Sequence, residues 1–215
     1  MKRSLIMVTG AGAGLGKSTL AAALHDSLAP NADLFLEEDM KTEPHFRDLW
    51  DEFIDTGRVR PATLIEAAAR YLEAARRRGV RTLVLDSLFP YLPSLLAWGH
   101  SDEQIASFFG RLDAVFDGCD VIELHLVGDL RAGLQRAAGR EGGDWLEWQI
   151  AKVAAFRGAG DIRTADDVVA HLSGSAERSR RLLERAPWRV VFLDADEGPG
   201  AVLAEAKASL TGGPP

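Results

Sequence analysis

A hydrophobic run followed by a glycine-rich loop and a lysine–serine pair is the feature that most constrains this chain. Residues 5–8 are apolar, residues 12–16 contain three glycines, and Lys17 and Ser18 follow directly. Glycine takes backbone φ values that other residues avoid, so such a loop can turn several amide N–H groups toward one phosphate. The spacing predicts a phosphate-binding P-loop between a β-strand and a helix that begins near Ser18.

The expected ligands of this loop are ATP and Mg²⁺. In a P-loop the lysine, here Lys17, reaches the β- and γ-phosphates, and the hydroxyl of Ser18 coordinates Mg²⁺. The strict pattern has glycine where this chain has Ala11, although Gly10 stands one position earlier. The alternative is a glycine-rich turn that binds nothing. The predicted nucleotide-binding residues are Gly12, Ala13, Gly14, Leu15, Gly16, Lys17, Ser18 and Thr19.

Length and composition favour one α/β domain. The chain has 215 residues, of which 47% are hydrophobic, enough for a single well-packed core over residues 1–210 with a disordered tail at 211–215. The net charge of −7 argues against a general nucleic-acid binder. Cys119 is the only cysteine, which excludes an internal disulfide. No apolar stretch is long enough to cross a membrane, and we expect a cytoplasmic protein.

Strand-like and helix-like segments alternate along the chain, which predicts a parallel sheet with crossover helices on both faces. The expected strands are 5–9, 32–36, 81–85, 121–127 and 188–193. The expected helices are 17–28, 45–55, 61–78, 101–116, 129–139, 143–156, 175–185 and 201–209, with a candidate short helix at 161–169. Ligands of such a sheet bind beyond the carboxyl ends of its strands, so the residues after each strand are the candidate site.

Three carboxylates, Glu37, Glu38 and Asp39, follow the second predicted strand. One of them is a candidate general base that accepts the proton of an attacking hydroxyl. Side chains alternate along a strand, so Glu37 and Asp39 are expected to face one way and Glu38 the other. We therefore predict Glu37 or Asp39 as the base. The alternative is a solvated acidic turn before a helix N-terminus.

Asp86 ends the third predicted strand and is the second candidate Mg²⁺ ligand, acting through water or Ser18. Phe89 and Tyr91 follow it and are candidates to wall an acceptor pocket, or alternatively are ordinary core residues. Arg47 is a further candidate for substrate binding, since its loop can lie over the site.

Two arginines follow the fourth predicted strand. Arg136 and Arg140 are four residues apart and so share a helix face. Permanently charged guanidinium groups suit a transferring phosphoryl group, whose charge spreads over its oxygens. We predict that both act from a lid at about residues 129–157. The alternative is a solvated face paired to acidic neighbours such as Asp129 or Glu141.

Taken together, the loop at 12–18, the acidic turn, Asp86 and the Arg136–Arg140 pair resemble the P-loop kinases of the nucleoside and nucleoside-monophosphate kinase superfamily. The stretch 129–152 is similar in layout to the lid of thymidylate kinases. The resemblance implies a three-layer α/β/α fold with a five-stranded parallel sheet in the order 2-3-1-4-5, and ATP with Mg²⁺. The Asp-Arg pattern of thymidylate kinases reads Asp86-Ser87 here, so one arginine is absent.

The acidic turn bears on the acceptor. Three carboxylates repel a monophosphate, so we expect a phosphotransferase acting on a hydroxyl of a nucleoside, a sugar-like metabolite or an antibiotic. The related chloramphenicol phosphotransferases share this architecture. The alternatives are a nucleoside monophosphate kinase and a regulatory nucleotide-binding ATPase that phosphorylates nothing. We expect no nucleic-acid or membrane partner, and the helix at 61–78 offers a face for a homodimer.

Overall fold

A computed structural model describes residues 2–156 and 159–211. Its sheet has five parallel strands in the order β2-β3-β1-β4-β5, as predicted. The strands are β1 (Arg3–Gly10), β2 (Ala32–Phe35), β3 (Thr82–Asp86), β4 (Cys119–Val127) and β5 (Arg189–Asp194). The three-layer α/β fold class is therefore confirmed.

Helices cover both faces of the sheet. They are α1 (Lys17–Leu28), α2 (Arg47–Thr56), α3 (Pro61–Arg77), α4 (Leu92–Ala97), α5 (Asp102–Val115), α6 (Leu130–Glu141), α7 (Trp145–Ala154), α8 (Ala165–Leu183) and α9 (Pro199–Thr211). Short 3-10 turns lie at Glu37–Lys41, Pro44–Phe46 and Ala195–Glu197. Most bounds agree with the sequence prediction, but α4 was not predicted.

Helix α8 is continuous where the sequence predicted two pieces. Its start is set by a capping box, in which the Thr164 hydroxyl accepts the Asp167 N–H at 3.2 Å and the Asp167 carboxylate accepts the Thr164 N–H at 2.8 Å. The polar residues between the two predicted pieces lie on its exposed side, which hid the helical period.

The strand side chains alternate between two hydrophobic cores. Leu5 and Met7 of β1 pack with residues of α3 and α5, whereas Ile6 and Val8 pack with residues of α1 and α9. A parallel strand buried on both faces reads as a continuous apolar run, which is why β1 is so clear in the sequence. Each fully buried side chain of this size stabilises the fold by roughly 1.5–3 kcal/mol.

A buried polar network anchors the end of β1. The Thr9 hydroxyl donates to Glu123 Oε1 at 2.7 Å and lies 2.8 Å from His125 Nδ1. The Trp188 indole N–H donates to Glu123 Oε2 at 2.9 Å. Because these groups satisfy one another, β4 and β1 are held together directly below the loop that starts at Gly10.

The exposed surface bears on two further expectations. In residues 2–156 and 159–211, no helix is both long and apolar enough to cross a bilayer. The large exposed apolar side chains include Phe53 and Ile54 of α2 and Trp148 of α7, whereas the apolar residues of α3 pack into the core. The homodimer therefore stays a prediction.

Thr211 ends α9, and the rest of the predicted tail lies outside the described residues.

Candidate active site

The loop between β1 and α1 uses left-handed backbone conformations that glycine adopts readily. Gly14 has a φ of 72° and Gly16 a φ of 91°, both in the left-handed region. A Cβ on Gly14 would lie 2.0 Å from the carbonyl oxygen of Gly133 in α6. Helix α6 thus packs directly on the loop backbone. The Lys17 ammonium reaches back over the loop and donates to the Gly12 carbonyl at 2.7 Å.

We expect Gly14→Ala to damage both the fold and nucleotide binding. The added methyl meets backbone rather than a flexible side chain, so α6 or the loop has to move. A left-handed non-glycine residue alone costs of order 1–3 kcal/mol. The variant should melt at a lower temperature and bind ATP at least about tenfold more weakly, as measured by thermal shift and calorimetry.

The matched control for this variant is Gly139→Ala, in the same helix α6. An added Cβ there meets nothing within 4 Å, and its φ is not positive. Alanine in a helix interior stabilises by roughly 0.5–1 kcal/mol relative to glycine. Unchanged stability and affinity in Gly14→Ala would contradict the close packing of α6 on the loop.

The carboxylate that ends β3 meets the serine of the loop. Asp86 is 2% exposed, and its Oδ2 accepts a hydrogen bond from the Ser18 hydroxyl at 2.5 Å. Its Oδ1 accepts from the Ser87 hydroxyl at 3.0 Å. A hydroxyl and a carboxylate are both hard oxygen ligands. This pair suits a Mg²⁺ ion that also binds the phosphates of a substrate. The predicted metal ligands, Ser18 and Asp86, therefore lie together and fit the ion.

Charged groups from four segments surround Lys17. Burial lowers the pKa of Lys17, and the charges of Arg140 and Lys152 lower it further, while Glu37 and Asp86 raise it. The charges of two carboxylates and two further cations therefore act on one half-buried ammonium. Lys152, on α7, was missed as a site residue. A lone lysine on an amphipathic helix carries no sequence signal, and only the packing of α7 brings it here.

Glu37 and Asp39 are separated by the local backbone. β2 ends at Phe35, one residue earlier than predicted, and a 3-10 turn follows, so the alternation of strand side chains does not apply. Glu37 influences Lys17 most strongly of all the charged groups around it. Asp39 instead folds back, and its Oδ2 accepts the Leu36 N–H at 2.8 Å. Of the three carboxylates after β2, Glu37 is the one whose charge acts on Lys17.

The two predicted arginines of α6 occupy different environments. Arg136 Nε donates to the carbonyl oxygen of Gly14 at 3.1 Å, so it touches the loop backbone. Arg140 pairs with its neighbour Glu141, with an Nη2–Oε1 distance of 2.8 Å, as the solvated alternative expected. Arg140 nevertheless lies close enough to Lys17 to affect its pKa. Their roles in catalysis stay predictions.

The three predicted substrate-binding residues do not form one surface. Arg47 is exposed at the start of α2. Phe89 and Tyr91 are 1% and 7% exposed and belong to the core, where Phe89 packs 5.6 Å from the Phe116 ring centroid. This placement matches the core alternative for the two aromatic residues. Contact of any of the three with an acceptor stays a prediction.

Comparison with solved structures identifies the fold. A gluconokinase from Sinorhizobium meliloti 1021 matches with a TM-score of 0.53 and 16% identity, over 96% of this chain and 91% of that one. This chain therefore shares the three-layer α/β fold of that gluconokinase. A deoxyadenosine kinase from M. mycoides with bound dATP matches with a TM-score of 0.48 and 15% identity, over 97% of this chain and 100% of that one. No protein-family model and no curated protein sequence matches.

Proposed function

We propose that this protein is an ATP- and Mg²⁺-dependent kinase that transfers the γ-phosphoryl group to a hydroxyl of a small molecule. The observation that carries the proposal is the grouping around Lys17. A P-loop lysine, a candidate base (Glu37) and a Ser18–Asp86 pair lie at the carboxyl end of one sheet. Phosphoryl transfer depends mainly on positioning and charge stabilisation, and these groups supply both.

The loop and the cations account for nucleotide binding. The amides of the loop and the Lys17 ammonium bind the β- and γ-phosphates, and Lys17 exchanges its bond to the Gly12 carbonyl for a phosphate oxygen. Ser18 and Asp86 would hold Mg²⁺, which neutralises phosphate charge when bound. Arg140 and Lys152, whose charges act on Lys17, would add positive charge near the transferring group from the exposed side of the site.

Glu37 acts as the general base in this proposal. The acceptor hydroxyl gives its proton to the Glu37 carboxylate while its oxygen forms a bond to the γ-phosphorus. The bond between that phosphorus and the β–γ bridging oxygen breaks, and ADP leaves with the electron pair. Glu37 is favoured over Asp39 because the Asp39 carboxylate is already used by the Leu36 N–H.

The charge at the site mouth supports a neutral or cationic acceptor. Glu37 and Glu38 are both exposed after β2, where an incoming monophosphate would meet two carboxylates. A nucleoside, a sugar-like metabolite or a hydroxylated antibiotic avoids this repulsion. A nucleoside monophosphate kinase remains the alternative because Arg47 is exposed on the segment that follows.

The test is ATP consumption against a panel of nucleosides, nucleoside monophosphates, sugar-like alcohols and hydroxylated antibiotics. We expect a neutral or cationic hydroxyl compound to raise turnover at least about tenfold above the acceptor-free rate. Stimulation by monophosphates alone would show that the charge argument is wrong. Slow hydrolysis that no acceptor stimulates would instead favour the regulatory ATPase.

A further inference from the structure

A pocket lies at the edge of the sheet. Its volume is about 210 Å³, enough for a small organic ion. It is lined by side chains of β2, of the segment after β2 and of the end of α3. The polar members are Asp33, Asp39, Thr42, Glu43, Tyr71 and Arg78. The strand order places β3 between this edge and β1, which carries the P-loop, so the pocket lies on the outer edge of the sheet, and Asp39 joins it to the turn that carries Glu37.

The pocket carries excess negative charge. Arg78 is its only cation and is already paired with Asp33, with an Nη2–Oδ2 distance of 3.2 Å. Asp39 has one oxygen bonded to a backbone N–H, and Glu43 lies 3.5 Å from the His45 ring nitrogen. Besides Arg78, no lysine or arginine lines the pocket to balance Asp39 and Glu43. Such a site attracts positive charge and repels phosphate.

The hydroxyl of Tyr71 provides an independent indication of a ligand. Tyr71 is 3% exposed, and its ring packs against Phe35 and Phe46 at centroid distances of 5.1 and 5.5 Å. Its hydroxyl opens on the pocket and forms no hydrogen bond with any residue in the described ranges. Burial raises the pKa of this phenol, so it stays neutral and can accept a hydrogen bond. The hydroxyl is therefore open to a hydrogen bond from a molecule in the pocket.

We propose that this pocket binds a small organic cation that carries a primary ammonium group. The ammonium has three N–H donors, and the pocket offers three acceptors: a free oxygen of Asp39, the Glu43 carboxylate and the Tyr71 hydroxyl. The described residues contain no group of three or more His, Cys, Asp or Glu side chains placed to hold a metal ion, which favours the organic ion. The aromatic ring of Tyr71 adds apolar contact for a short carbon chain.

The test is a titration of the full chain, monitored by amide chemical shifts, with n-butylammonium and benzylammonium. The matched neutral probes are n-butanol and benzyl alcohol. We expect saturable shifts at residues 33–43 and 71–78 with the ammonium probes, at dissociation constants on the order of millimolar, as suits ligands of this size. The alcohols should bind at least about tenfold more weakly. Equal binding of amine and alcohol, or no saturable shift, would overturn the proposal.

Two variants locate the site. Tyr71→Phe removes a hydroxyl that bonds to nothing in the protein, so it should fold normally yet bind the ammonium probes at least about tenfold more weakly. Glu43→Gln should weaken binding similarly, whereas Glu205→Gln, at an exposed position of α9, should not. Wild-type affinity in both pocket variants would place the cation elsewhere.

Lys17→Ala should bind the amines normally, which separates this proposal from the kinase activity.

Discussion

We expect Lys17→Ala to lower acceptor-dependent ATP turnover by at least about 100-fold, the effect of removing one preorganised donor to developing charge. Lys17 is the cation inside the P-loop, and its ammonium already reaches the Gly12 carbonyl that borders the phosphate position. The loss should appear in nucleotide affinity as well as in kcat, because the lysine binds the phosphates in the ground state and in the transition state. Coupled-assay kinetics and calorimetry with ATP measure the two effects.

The same variant should not weaken the apo fold. Burial lowers the pKa of Lys17, so the folded chain holds this proton less tightly than the unfolded chain does. At neutral pH the buried charge therefore opposes folding, and its removal leaves the apo melting temperature unchanged or raised. The rise in melting temperature that ATP causes should be lost in Lys17→Ala and kept in Lys207→Ala, on the exposed side of α9. Full turnover in Lys17→Ala would rule out a catalytic P-loop.

Glu37→Gln should reduce kcat by about 100- to 10,000-fold, the usual contribution of a general base, with little change in ATP affinity. Glutamine keeps the size of the side chain but cannot take the acceptor proton. The charge of Glu37 also raises the pKa of Lys17, so the variant should lose Lys17 protonation at a lower pH. Steady-state kinetics over a pH series, with ATP binding measured in parallel, separates these effects.

Asp39→Asn and Glu38→Gln are the matched controls for this prediction. Asparagine at 39 keeps a side-chain oxygen for the Leu36 N–H, so the turn survives while the negative charge is removed. Glu38 is exposed and has no part in the proposed mechanism. Both variants should have a kcat within a few-fold of that of the unaltered protein. A large loss in Asp39→Asn with normal turnover in Glu37→Gln would assign the base to Asp39.

The fold could be predicted from the chain because its signals are local and repeated. Strands buried on both faces read as apolar runs, and a P-loop joins one of them, β1, to a helix whose bounds, Lys17–Leu28, match the prediction. Parallel strands require crossover connections, which restrict the topology further. The misses have local causes too: α4 has only six residues and a proline in its first turn, and exposed residues between the two predicted pieces of α8, such as Ser173 and Gly174, conceal its periodicity.

The candidate site was predictable only where the backbone itself defines it. The glycine loop, Lys17 and the Ser18–Asp86 pair follow from spacing and from the ends of strands. The sequence could not distinguish Glu37 from Asp39 as the base, because their positions depend on where β2 ends and the 3-10 turn begins. Strand alternation, applied beyond Phe35 where the strand ends, placed the two carboxylates together.

The sequence by itself determined the sheet and the glycine-rich loop that joins β1 to α1, since hydrophobic period and glycine spacing act on neighbouring residues. The tertiary structure decided which distant side chains share a site. It brought Lys152 to Lys17, kept Phe89 and Tyr91 in the core, and gathered the edge pocket around Tyr71. Such groupings depend on how helices pack across tens of residues, and no local pattern records that packing.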